Sequence, residues 1–158
     1  EMCIRDRLQD YLEPKRGICY MDRTLCPDPF HDGEDYLNEV FFGAQCYDLI
    51  DRSMQAILEY DDEYSAHDWR SLVQMCDHKY LMRKRYQYMV QHGYAAMDDT
   101  LHEELETLEK ESLIAQNMYI KYTVTDDLET IRRLRERLQA MKQKDICATK
   151  TLISLVEA

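Results

Sequence analysis

The residues whose spacing suggests chemistry lie near position 90. Arg85 and His92 are seven positions apart, which is close to two helical turns, so both side chains would share one helix face. An arginine and a histidine on one face can hold a phosphate group, with the histidine as general acid or base and the arginine stabilising negative charge. Arg83 and Tyr94 would flank them. The spacing therefore predicts a candidate phosphate site near a helix end.

Arg85, His92 and Tyr94 together resemble the motif of the HEPN superfamily of small helical bundles. Ribonuclease members of that superfamily carry an arginine several residues before a histidine, in some families with a tyrosine two positions later. The chain departs from the motif at Tyr86, where a small polar residue is usual. The resemblance implies a metal-independent ribonuclease or a nucleotide-binding toxin-type domain. Arg85, His92 and Tyr94 would then be catalytic in a dimer cleft, with RNA as the substrate.

His92 also has a purely structural interpretation. It directly precedes Gly93, the predicted end of the helix, where a cation offsets the negative end of the helix dipole. The neighbouring basic residues would then form a solvated face or pair with an acidic helix. Arg83, Lys84 and Tyr88 are the predicted binding residues of this segment.

Metal ligands follow no recognised pattern in the sequence. A di-iron bundle needs Glu-x-x-His on two helices, and the chain contains no such motif. Cys19, Cys26 and His31 could join Cys46 around zinc, but they lack the close Cys-x-x-Cys spacing of structural zinc sites. No glycine-rich phosphate loop is present either. We therefore predict neither a metal site nor a cofactor.

The composition indicates an acidic, helix-rich globular protein. Hydrophobic residues make up 45% and charged residues 32% of 158, with only 4 glycines and 3 prolines to interrupt helices. The net charge of -11 disfavours non-specific binding to nucleic acids and anionic membranes, because the summed field repels polyanions. No apolar run approaches the roughly 18 residues that a membrane span needs. Six cysteines without paired spacing and no export signal predict reduced thiols in the cytoplasm.

The first 33 residues predict an irregular N-terminal arm. All three prolines and two of the four glycines fall before residue 34, which rules out one long regular element. Residues 2–7 look like a translated sequencing adaptor, so residues 1–7 are a possible artefact. The sequence therefore does not identify the natural N-terminus. Residues 34–158 are predicted to form one helical bundle domain. The arm is expected to pack on it through apolar residues, namely Leu12, Ile18, Tyr20, Leu25 and Phe30.

Apolar residues at helical spacing predict four helices. The first would run from Asp32 to about Glu63, and a short link would lead into the second, from Ser65 to Gly93. The buried face of the first is predicted to contain Val40, Ala44, Tyr47, Ile50, Met54 and Ile57. That of the second is predicted to contain Trp69, Leu72, Cys76, Met82, Tyr86 and Met89. Short links join antiparallel neighbours, so these helices would form a hairpin.

The third and fourth helices would form a second hairpin. The third would begin at Asp98 or Asp99 and stop at a β-branched break, residues 123–125, with an apolar row of Leu101, Leu105, Leu108, Ser112, Ala115, Tyr119 and Tyr122. The fourth continues this spacing through Ile131, Leu134, Leu138 and Met141. Glutamates on the third and basic residues on the fourth predict that the two pair by charge. Beyond Asp145 the apolar row shifts, which predicts a kink or a separate terminal helix.

These patterns predict an all-α fold, an antiparallel bundle of about four helices with an irregular N-terminal arm. Composition and spacing favour a non-catalytic interaction or assembly module that binds a protein partner or a second copy of itself. The alternative function is the HEPN-like ribonuclease, and only under that alternative is the protein an enzyme that binds RNA.

Overall fold

The computed structural model describes residues 4–13, 43–60 and 70–156. Within these ranges the chain is all-α, as predicted, and forms no β-strand. The α-helices are α1 (Ile4–Leu12), α2 (Cys46–Tyr60), α3 (Arg70–Gln91), α4 (Asp99–Thr125) and α5 (Leu128–Leu155), with a 3-10 helix, Gly43–Gln45, before α2. None of the helices in the described part is both long enough and apolar enough to cross a membrane.

Helix α4 begins and packs as predicted. The Asp98 side chain accepts a hydrogen bond of 2.8 Å from the Leu101 amide and so satisfies one of the free amides of the first turn. The predicted β-branched break is wrong, because the helix continues to Thr125 and ends at Asp126, whose φ of 51° is left-handed. The buried residues of α4 are the predicted row, Leu101, Leu105, Leu108, Ser112, Ala115, Tyr119 and Tyr122.

Helix α5 is one continuous helix, so the predicted separate terminal helix beyond Asp145 is wrong, and the alternative of a kink stays a prediction. The three-and-four spacing of its buried residues does not stop at that position. It passes through a charged residue, in the order Ile131, Leu134, Leu138, Met141, Asp145, Ala148 and Leu152. The apparent shift in the sequence arose because an aspartate occupies a core position.

Helix α3 shows the same feature. Its buried residues are Leu72, Met75, Lys79, Met82, Tyr86 and Met89, again at unbroken three-and-four spacing. Met75 and Lys79 were not among the predicted core residues, and Cys76, which was, is only half-buried. The predicted helix start at Ser65 and the predicted core residue Trp69 lie outside the described residues.

The end of α3 is the predicted glycine cap. Gly93 has a φ of 74°, and its amide donates to the Val90 carbonyl at 3.1 Å. The Tyr94 amide donates to the Met89 carbonyl at 2.8 Å. These two bonds satisfy carbonyls of the last turn, and they turn the chain sharply toward α4.

The predicted first helix is only partly confirmed. Its buried face holds from residue 44 onward, with Ala44, Tyr47, Ile50, Met54 and Ile57 all buried. However, Gly43 has a φ of 52°, a left-handed conformation that interrupts a right-handed helix. A single helix from Asp32 to Glu63 is therefore wrong. Asp32, Val40 and Glu63 themselves lie outside the described residues.

The N-terminal segment contains α1, so the prediction of an irregular arm fails for residues 4–12. Leu8 of α1 is buried, and Gly43 packs directly on the backbone of Tyr11. A Cβ atom at position 43 would overlap the Tyr11 carbonyl, so only glycine allows this close approach. Of the residues expected to anchor the arm, Leu12 ends α1 and is half-buried. Ile18, Tyr20, Leu25 and Phe30 lie outside the described residues.

Two clusters of buried hydrophobic residues form the core. Helices α3, α4 and α5 contribute to both clusters, whereas α2 contributes only to the first and α1 only to the second. Cys76 contacts Gln116 and Arg83 contacts Glu109, so α3 and α4 run past each other in opposite directions. Helices α1 and α2 thus cover different ends of the same three long helices.

Charge pairing differs from the prediction. Only Arg137 joins α5 to a glutamate of α4, Glu111, among the ion pairs of the described residues. Other basic residues of α5 bind aspartates of α2. Arg135 contacts both carboxylate oxygens of Asp51, at 2.9 and 3.0 Å, and Lys142 lies 2.5 Å from Asp48. Charge therefore mainly connects α5 to α2 rather than to α4.

Candidate functional site

The outward side of α3 carries large exposed side chains. Tyr80, Leu81, Lys84 and Tyr88 lie opposite the buried row of this helix, and we call them the outer face of α3. Tyr80 and Leu81 are each 46% exposed and Tyr88 is 55% exposed. A surface helix usually presents polar residues on this side. The outer face of α3 is therefore a candidate binding surface.

An aromatic stack continues this surface at the end of the helix. The His92 ring lies 3.9 Å from the Tyr88 ring and 6.3 Å from the Tyr94 ring, measured between centroids, and all three stack. The His92 Nδ1 atom lies 2.8 Å from the Tyr88 carbonyl oxygen. Met97, in the following turn, is 55% exposed. The stack extends the exposed apolar area beyond α3 itself.

Cations lie beside these rings. The Lys84 Nζ atom lies 5.6 Å from the centroid of the Tyr80 ring, and the Arg83 guanidinium lies 5.9 Å from it. Both distances fit cation–π attraction. Arg83 also forms an ion pair with Glu109 of α4, whereas Lys84 is exposed. Of the predicted binding residues, Lys84 and Tyr88 are therefore the more accessible, and Arg83 is partly engaged within the fold.

The predicted catalytic residues are only partly brought together. His92 and Tyr94 share the aromatic stack, but no contact among the described residues joins Arg85 to His92. Arg85 is exposed, and its charge acts instead on His78. Binding of one phosphate group by both Arg85 and His92 stays a prediction.

A shallow, open pocket lies between α3 and α4. It is lined by Cys76, Asp77, Tyr80, Glu109, Lys110 and Leu113. The Cys76 thiol donates to the Gln116 side chain at 3.3 Å, and burial raises the pKa of Cys76. A raised pKa keeps the sulfur as a thiol, which is a weak nucleophile. The pocket therefore adds shape to the outer face of α3 but no reactive group.

A second cluster of polar side chains is buried between the helices. Lys79 of α3 forms an ion pair of 2.5 Å with Asp145 of α5, and the two residues are 3% and 1% exposed. The Tyr11 hydroxyl donates to Asp145 and accepts from Lys79 at 3.0 Å. The Lys79 Nζ atom also lies 5.2 Å from the centroid of the Tyr47 ring. With His78, we call these residues the buried polar centre.

Burial dominates the electrostatics of this centre. It raises the pKa of both Tyr11 and Tyr47, and the nearby Asp145 carboxylate adds to each rise. It lowers the pKa of Lys79, while Asp145 opposes that change. Both tyrosines therefore stay protonated and act as neutral hydrogen-bonding or ring partners of the ion pair. This cluster was not predicted from the sequence, because charged residues were expected on the surface.

Metal ligands do not assemble in the described residues. No group of three or more histidine, cysteine or acidic side chains there could hold an ion. Cys46 lies at the start of α2, and Cys19, Cys26 and His31 lie outside the described ranges. Comparisons with models of known protein families, with curated proteins and with solved structures found no match.

Proposed function

We propose that the protein is a non-catalytic interaction module that binds a protein partner through the outer face of α3. One observation carries this proposal. The side of α3 that faces away from its own core presents Tyr80, Leu81 and Tyr88, each exposed by nearly half or more. Exposed tyrosines beside cations are common in protein interfaces, because the ring supplies contact area at a small entropic cost.

The proposed partner is an acidic segment with apolar anchors. Lys84 and Arg85 add positive charge to this part of α3, whereas the whole chain has a net charge of -11. The surrounding negative charge repels acidic molecules elsewhere on the surface, so a positive patch selects where they dock. Two copies of the chain repel each other for the same reason, which favours a different protein over self-association.

The fold that presents this surface is, in our proposal, an antiparallel bundle in which α3, α4 and α5 follow one another as antiparallel neighbours and α2 packs on α5 rather than on α3. The opposite directions of α3 and α4 and the two-residue connection between α4 and α5 support it. In such a bundle α3 keeps one face in the core, and its outer face stays rigid and open. A rigid surface loses little freedom on binding, which favours affinity.

The test combines peptide selection with substitution. We expect a displayed random-peptide library to yield acidic peptides with aromatic or aliphatic anchors on the purified chain. Binding of these peptides, measured by isothermal titration, should weaken at least about 30-fold when Tyr80→Ser and Tyr88→Ser are combined, because each interface tyrosine contributes roughly 1–2 kcal/mol. The matched control combines Ile114→Ser and Val124→Ser, which remove exposed apolar side chains from α4.

Two results would contradict the proposal. The first is equal binding by the wild type and the tyrosine variant, and the second is equal loss in the control. Cleavage of single-stranded RNA by the wild type without added metal, abolished by His92→Ala, would instead favour the ribonuclease hypothesis.

A further inference from the structure

We propose that His78 is a pH sensor that controls whether α1 stays packed on the rest of the molecule. Helix α1 packs against the 3-10 helix and against α5. Leu8 is its buried residue, and Tyr11 supplies its hydrogen bonds to the buried polar centre. Both residues lie outside residues 2–7, the segment that resembles a translated sequencing adaptor. This role of His78 involves α1 and the core, and it does not depend on partner binding at the outer face of α3.

His78 contacts both α1 and the ion pair. Its ring stacks on the Tyr11 ring with 5.0 Å between centroids and 15° between planes. Its Nδ1 atom lies 3.3 Å from the Lys79 Nζ atom. Because a charged lysine only donates hydrogen bonds, Nδ1 must accept, which requires a neutral imidazole. Protonation would place a hydrogen and a second positive charge against the ammonium group.

Four helices, α1, α2, α3 and α5, contribute titratable or charged groups to this centre. These groups are Tyr11 from α1, Cys46 and Tyr47 from α2, Lys79 and Arg85 from α3, and Asp145 from α5. Burial lowers the pKa of His78 to about 4, with further lowering by Lys79 and Arg85, while Asp145 acts in the opposite direction. The surroundings as a whole therefore favour neutral His78.

The direction of the pH effect follows from this difference. When α1 is released, His78 meets water and its pKa returns toward the ordinary value of about 6.5. The packed state then binds fewer protons, so packing is fully favoured above about pH 6.5 and weakens as the pH falls toward 4. With these two values, the packing equilibrium falls by about 30-fold between pH 8 and pH 5.

Hydrogen exchange of residues 4–13 measures this equilibrium. After correction for the intrinsic pH dependence of exchange, we expect opening to increase about 30-fold from pH 8 to pH 5 in the wild type. His78→Gln keeps a hydrogen-bond acceptor but cannot be protonated, so its opening should change by less than about threefold. The matched control is His92→Gln, which removes an exposed histidine and should behave as the wild type.

Proton NMR of the imidazoles provides an independent measurement on the unmodified chain. We expect His78 to titrate near pH 4 in the wild type, and near pH 6.5 in a Tyr11→Ala variant that releases α1. A wild-type midpoint above 6 would overturn the proposal. So would acid-driven opening of the same size in His78→Gln, or protection of residues 4–13 that is equal at both pH values.

Discussion

At the scale of single residues, the Lys79–Asp145 pair shows how opposite charges can occupy an apolar core. Each charge alone would be costly to bury, because the low-dielectric interior does not replace the water that solvates an ion. The pair lowers this cost through one short contact, and the Tyr11 hydroxyl bonds both partners. Removing one of the two charges should therefore destabilise the fold far more than replacing both with apolar residues.

Substitution of one or both charges tests this expectation. Lys79→Met leaves Asp145 buried without a cation, and we expect the free energy of unfolding to fall by about 3–5 kcal/mol. Combining it with Asp145→Leu should restore most of that loss, since no unpaired charge remains. Urea denaturation followed by circular dichroism measures both values. A loss below about 1 kcal/mol for Lys79→Met would show that the pair is solvated.

At the scale of helices and their connections, two glycines share a backbone conformation but have different neighbours. Gly43 and Gly93 both have positive φ angles, 52° and 74°. A side chain at Gly93 would meet no atom within 4 Å, whereas one at Gly43 would overlap the backbone of Tyr11. Backbone strain is common to both positions, and steric overlap with α1 is specific to Gly43.

Alanine substitution at the two glycines separates these effects. We expect Gly93→Ala to cost about 1 kcal/mol of global stability, the usual penalty for a left-handed non-glycine residue. Gly43→Ala should in addition displace α1, so that hydrogen exchange of residues 4–13 loses its protection while α3, α4 and α5 keep theirs. Equal protection of α1 in both variants would argue against direct packing of Tyr11 on Gly43.

The helices also show how far the sequence predicts structure. Helix α4 was predicted with its buried row correct, because that row contains no charged residue. In α3 and α5 the rows are equally regular, but Lys79 and Asp145 interrupt the apolar pattern that the prediction relied on. The three-and-four spacing of the rows, considered without residue type, would have predicted that both residues are buried. No local pattern in the sequence indicates that Gly43 touches Tyr11.

The candidate surface was predicted in part. Lys84 and Tyr88 were assigned to binding from their types, and both are exposed. Tyr80 and Leu81 were not, although Tyr80, Lys84 and Tyr88 recur at a four-residue spacing that places them on one face. The ion pairs of α5 were less predictable. Arg135 and Lys142 pair with aspartates of α2, and the packing of α2 on α5 is a long-range contact that no local pattern indicates.

At the scale of the whole molecule, three long helices pass through both hydrophobic clusters. Leu138 lies in the first cluster and Leu105 in the second, and both are almost fully buried. Because α3, α4 and α5 belong to each cluster, disruption of one end should propagate along the same helices to the other. The buried polar centre, which lies between the two clusters, should therefore not divide the core into two folding units.

Leucine truncation in either cluster tests this cooperativity. We expect Leu138→Ala and Leu105→Ala each to lower the free energy of unfolding by about 2–5 kcal/mol. In each variant, backbone amides from both clusters should lose their protection against hydrogen exchange at the same urea midpoint. Two separate midpoints would show that the clusters unfold independently.

The buried ion pair also restricts how α3 can be aligned with α5. A slide of α3 by one heptad would keep its apolar row facing the core that α4 and α5 share, so hydrophobic contact alone hardly penalises that error. The slide would bring Leu72 or Tyr86 opposite Asp145 and leave both charges buried without partners. Misaligned packings are thus penalised electrostatically, and one alignment of the two helices is selected during folding.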